Sequence, residues 1–169
     1  MQRKYELIVG ILLLGALIAV LTARPDISAI VTEKSAEARS DIFFTYVTTR
    51  YPAKVEIIDP QNKETNFTLG ISVESTILNF GSVLGKGGTV KKQINLTTRD
   101  GLSSKVSVRT YGNIVPLLRI DSSEFILRSQ GTIAVTMDTM DYPEGNYTGE
   151  VDVVIQRSNN EIVRQIIGY

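Results

Sequence analysis

The stretch Gly131-Thr-Ile-Ala-Val-Thr-Met-Asp-Thr-Met-Asp-Tyr-Pro-Glu-Gly-Asn-Tyr-Thr-Gly-Glu-Val-Asp-Val-Val-Ile155 decides the fold. Two runs in it alternate with period two. Ile133, Val135 and Met137 fall on one side of the first, and Tyr147, Val151, Val153 and Ile155 on one side of the second. Period-two spacing puts such residues on a common, buried face of a strand. Pro143 and Gly145 between the runs set a turn, because proline presets φ and glycine accepts conformations closed to other residues.

The same texture recurs elsewhere in the chain. Phe67, Leu69, Ile71 and Val73 alternate with Thr68, Gly70 and Ser72. Val90, Ile94 and Leu96 share a face after the loop Gly85-Lys86-Gly87-Gly88, and Asp100-Gly101 turns the chain toward Val106 and Val108. Ser158-Asn159-Asn160 turns it again into Ile162–Ile167, read as a last strand. The expected fold is all-β, one antiparallel sandwich of about seven strands over residues 55–169. The Gly-rich loop lacks the strand-and-helix setting of a phosphate cradle and reads as a hairpin loop.

The amino terminus is different. Leu7–Ala23 is an uncharged apolar run, about 25 Å long as a helix and slightly short of a hydrocarbon core of about 30 Å. Residues 1–6 then form a short tail and 7–23 a transmembrane helix. A cleaved signal peptide is the alternative, but Leu21-Thr22-Ala23 puts Leu where a peptidase wants a small residue. A retained signal anchor is the reading kept. Arg3 and Lys4 precede the run and Arg24 follows it, so the charge bias for orientation is nearly balanced. Residues 24–54, with Pro25 and the polar Thr32–Asp41, are expected to be a spacer, either a short helix or a solvated stalk.

Composition removes several functions. Cys and His are absent, which excludes disulfides, thiolate or imidazole metal sites, and Ser-His-Asp or Cys-His catalysis. Lys+Arg and Asp+Glu are 18 each, without the basic surplus of a nucleic-acid binder, and there is no Trp to serve as a stacking platform. Carboxylates are what remains. Asp138, Asp141 and Glu144 are candidates for Ca²⁺ or for acid–base work as a hydrolase. Their spacing matches no EF-hand, and a solvated turn is the alternative. No catalytic residue, cofactor or small-molecule substrate is assigned, and the expectation is that the chain is not an enzyme.

Three glycosylation sequons start at Asn66, Asn95 and Asn146, each usable only on an exported domain. Ile114, Leu117 and Leu118, in an apolar stretch around Pro116, are the candidate interaction residues. An exposed apolar edge invites a partner strand, whereas the same residues in the core would be ordinary filling.

Two parts of the chain resemble immunoglobulin-like modules of prokaryotic surfaces. One is Leu78-Asn79-Phe80-Gly81-Ser82-Val83 followed by a Gly-rich turn and Val90. The other is Ser123–Leu127, then Gly131–Met137, then Pro143-Glu144-Gly145-Asn146-Tyr147-Thr148-Gly149. The resemblance, over about Phe67 to Gln165, is to membrane-anchored, sandwich-bearing envelope proteins common in archaea. It implies a structural corner at Pro143, Gly145, Tyr147 and Gly149, with Tyr147 anchoring the turn through its phenol. The implied function is protein–protein contact at the cell envelope: with a surface layer, a surface filament or its own copies. The domain would lie on the extracellular side of the cell membrane. An accessory subunit of a larger membrane complex is the alternative, and a fold alone assigns no activity.

Overall fold

The ladder that organises the molecule joins β2 (Phe44–Ile58) to β9 (Gly145–Ser158) over fourteen consecutive antiparallel pairs, Phe44↔Ser158 to Ile57↔Gly145. The computed structural model describes residues 30–59, 76–85, 87–98, 102–140 and 142–168. The other strands are β1 (Ser35–Ser40), β3 (Leu78–Leu84), β4 (Thr89–Thr97), β5 (Ser104–Gly112), β6 (Leu118–Ile120), β7 (Glu124–Leu127) and β8 (Gln130–Asp138). A helix, α1 (Glu161–Ile167), follows β9.

The strands form two sheets, and the fold is all-β. The larger runs β1-β2-β9-β5-β7, with β3 also on β2; the smaller runs β4-β8-β6. β1 and β3 share one edge of β2. β1 pairs antiparallel with Thr45–Arg50, and β3 pairs parallel along Ala53–Ile58. Pro52, which has no N–H to donate, falls in the gap between these two partners.

Tyr51, Ala53, Val55 and Ile57 of β2 and Val151 and Val153 of β9 face inward, as do Val106 and Val108 of β5. Ile94 and Leu96 of β4 and Ile133, Val135 and Met137 of β8 supply the smaller sheet's share of the core. The alternation expected for these runs holds. The loop after β3 does not close a hairpin, because it carries the chain from the larger sheet to the smaller. Thr139, fully buried, pins that crossing. Its Oγ1 donates to the Leu84 carbonyl at 2.7 Å and accepts from the Gly88 N–H at 2.9 Å.

Several expectations change. The strands do not begin at residue 55. Phe44-Thr-Tyr-Val-Thr-Thr-Arg50, inside the expected spacer, is rich in aromatic and β-branched residues that suit a pleated surface, and it extends β2. Ser35–Ser40 holds good helix formers, yet it pairs on β2 as an edge strand with all six residues exposed. Nine strands are present among the described residues against about seven expected, and the β2–β3 pair is parallel.

The C-terminal segment is a helix. Asn160 Oδ1 accepts from the Ile162 N–H at 2.8 Å, and Gly168, at φ 80°, closes the last turn. These are a helix N-cap and a left-handed glycine stop. Ile162, Val163, Ile166 and Ile167 fit helical spacing better than period two. The predicted Phe67–Val73 strand, the Asp100-Gly101 turn and the Leu7–Ala23 transmembrane helix lie outside the described residues. Among the described residues no helix is long and apolar enough to cross a membrane.

Where β5 meets β9, Gly112 lies opposite Gly149. A Cβ on Gly149 would run into the Tyr111 carbonyl oxygen and come within 2.6 Å of Ile114 Cγ2. Gly149→Ala is therefore expected to destabilise the domain by about 1–3 kcal/mol through overpacking. In denaturant melts the midpoint should fall while the slope is unchanged.

Candidate functional site

Ile114 and Leu117 are buried in the core, 0% and 2% exposed, and Leu118 packs partly against it. They are not a free interaction patch. Pro116 sits in a 3-10 turn, Val115–Leu117, and the Ile114 N–H reaches the Thr148 carbonyl at 3.3 Å, which together turn this segment inward. At the corner, the Tyr147 hydroxyl donates to the Pro143 carbonyl at 3.0 Å. Its half-buried ring meets Tyr142 edge-on, with centroids 6.3 Å apart. Gly145 adopts φ 149° and Gly149 lets β5 approach.

The candidate carboxylates scatter. Asp138 Oδ1 accepts from the Met140 N–H at 3.0 Å, a local turn bond, and Asp141 lies outside the described residues. Glu144 is exposed and lines an open cleft of about 350 Å³ with Glu56, Asp59 and Asn146. Glu56 already accepts from Ser82 Oγ at 2.7 Å. Among the described residues no group of three or more acidic side chains is arranged to hold a metal ion. Of the sequons, Asn146 is exposed, Asn95 is exposed on β4 and accepts from Thr132 Oγ1 at 3.0 Å, and Asn66 lies outside the described residues.

Glu150 and Asp152 were not marked by the sequence reading. They alternate with Val151 and Val153 on β9 and therefore face away from the core, yet they are only 1% and 8% exposed. Register sets Asp152 between Arg50 on β2 and Arg109 on β5. The chain entering the domain covers this row, since the Val31 N–H donates to Glu150 Oε2 at 2.9 Å. Burial pushes the Asp152 carboxyl up to about 6, Glu150 adds to the rise, and Arg50 and Arg109 oppose it. Asp152 Oδ1 and Arg50 Nε are buried without a hydrogen-bond partner. The one available signal was the pair of acidic residues spaced by two within an apolar strand.

Two exposed surfaces stand out among the described residues. The first is β1, bonded to β2 along one side and exposed throughout. An edge strand of this kind presents unpaired N–H and C=O groups to another chain. The second is an apolar end at the β1–β2 turn and α1. Ile42 is 84% exposed, Phe43 54%, Ile162 67% and Ile166 78%. Asn159 fixes the two parts together: its N–H donates to the Phe43 carbonyl at 2.8 Å and its side-chain amide to the Asp41 carbonyl at 2.9 Å. Asp41 Oδ1 in turn accepts from the Phe43 and Phe44 N–H groups at 2.8 and 2.6 Å. The exposed apolar side chains are thus presented on a braced turn.

Comparison with family models, with curated proteins and with solved structures finds no match to this chain.

The buried carboxyl carries a pH signature. With its folded pKa above the ordinary 3.8, the folded state holds a proton that the unfolded chain has released between about pH 4 and 6. Stability should therefore fall as pH rises through that window and level off above it. Asp152→Asn is expected to flatten that slope and to stabilise the domain above pH 6 by roughly 1–3 kcal/mol. Denaturant melts across pH 4–8 measure both effects.

Proposed function

We propose that this chain is a single-pass membrane-anchored protein whose β-sandwich, of immunoglobulin-like type, mediates protein–protein contacts on the extracellular side of the cell envelope. The uncharged run Leu7–Ala23 supports the anchor. What carries the contact role is the pairing of an open edge strand, Ser35–Ser40, with a braced apolar end at Ile42, Phe43, Ile162 and Ile166. A fold that leaves both exposed presents two surfaces for other chains. Without Cys or His, thiolate and imidazole chemistry is not open to this chain.

The apolar end favours a second reading. An accessory subunit of a larger membrane complex would keep such an end covered by its neighbours, and the partner would then be a fixed one.

Topology tests the proposal, and the Cys-free chain makes the experiment clean. Ser129 is exposed in the turn between β7 and β8, whereas Ser158 is only 3% exposed. Ser129→Cys should react with a membrane-impermeant maleimide on intact cells, and the protein should pellet with membranes after an alkaline wash. Labelling only after lysis would place the domain in the cytoplasm and overturn the extracellular reading.

A further inference from the structure

We infer that the free edge of β1 pairs with the β1 of a second copy, antiparallel about a two-fold axis at Ala38, so that two larger sheets become one. The inference rests on the reading that this domain works through protein contacts, and it names the partner and the surface.

β1 meets β2 through Ser35↔Arg50 to Ser40↔Thr45 and ends the strand order of the larger sheet, so its opposite edge faces no strand among the described residues. All six of its residues are exposed. Strand addition to such an edge supplies main-chain hydrogen bonds, and alternate side chains then decide which strand is accepted.

Those side chains are complementary to themselves. With Ala38 opposite its own copy, Glu37 stands opposite Arg39 of the second copy, and Arg39 opposite its Glu37. Both pairs lie on one face, since the two residues are two apart. Sliding the pairing by two residues in one direction sets Glu37 against Glu37, and in the other direction Arg39 against Arg39. Like charges directly opposite one another are unfavourable, so the charge order selects one register. The other face carries Ala36, Ala38 and Ser40, small enough to let a neighbour approach.

Charged residues on an edge strand also serve to block pairing. Here the order of signs neutralises in the self-pair instead of repelling. Among the described residues Glu37 has a loose ion pair with Arg50 Nη2 at 3.8 Å, and its side chain is 76% exposed. It is free to take Arg39 of a second copy. Closed two-fold pairing of this kind is the commonest form of homo-oligomer. A six-residue edge is a small contact, and tethering both copies to one bilayer would raise their effective concentration.

The test uses the full chain in liposomes, with each introduced cysteine the only one in its copy. Ala38→Cys should form a disulfide-linked dimer under mild oxidation. Ala36→Cys alone should not, because its two copies would be offset by about 13 Å. Ala36→Cys mixed with Ser40→Cys should form the heterodimer. In the Ala38→Cys background, Glu37→Arg or Arg39→Glu should each lower the cross-linking by about tenfold, and Glu37→Arg with Arg39→Glu should restore it. Two results overturn the inference: cross-linking of Ala38→Cys no greater than that of Ser129→Cys, or charge reversal without rescue. The edge would then take a foreign strand, a lipid surface or nothing. If the chain failed to associate with liposomes, the same pattern would be read in solution at raised concentration, so the anchor and the self-pairing fail separately.

Discussion

The ladder between Phe44–Ile58 and Gly145–Ser158 sets the position of almost everything else. Its lower half, Tyr51 to Ile57 against Gly145 to Val151, supplies the inner face on which the smaller sheet packs. Its upper half carries β1 along one edge of β2, and β5 follows β9 from Gly149 to Gln156, so that Val153 and Ile155 continue the same inner face. Because side chains alternate across a strand, fixing this one register fixes which residues are interior and which face outward. It sets Glu150 and Asp152 on the outer face, Asp152 between Arg50 and Arg109, and it brings the Phe43 turn next to Asn159.

The outer face joins the entry of the chain to the interior of the sheet. A buried carboxylate is costly unless paired or hydrogen-bonded. Glu150 receives one such bond from the backbone of Val31, 119 positions away in sequence. Asp152 has arginines on both flanking strands but one oxygen without a partner, and burial, with Glu150 adding to it, raises its pKa against those arginines. The segment around Ile30 and Val31 is therefore part of the domain and not a detached linker. The chain then rises along β1 to the apolar turn, which is how an edge strand and an apolar end come to be neighbours.

Much of the core was legible in the sequence, for a simple reason. Ile133, Val135 and Met137, like Val106 and Val108 or Val151 and Val153, declare their faces by strict alternation, and the Pro143–Tyr147 corner declares itself by its turn residues. What was not legible depended on distant partners. Ser35–Ser40 has the local preferences of a helix and becomes a strand only because β2 offers it an edge. Ile114 and Leu117 form an apolar loop whose burial is decided by β9 beneath them. Glu150 reads as a solvent-facing residue until residue 31 covers it. In Glu161–Ile167 the signals were present, an Asn cap and a terminal Gly, but four apolar residues in six masked them as a strand.

Phe44–Ile58 is an integral strand of the sandwich, paired with Gly145–Ser158 from Phe44 to Ile57. Amide hydrogen exchange tests it most directly. The hydrogen-bonded amides of Thr45–Arg50 should exchange as slowly as those of their partners, Asp152–Arg157, in one cooperative class. Rapid exchange across Thr45–Arg50, with Asp152–Arg157 still protected, would return that segment to a spacer and contradict the fold described.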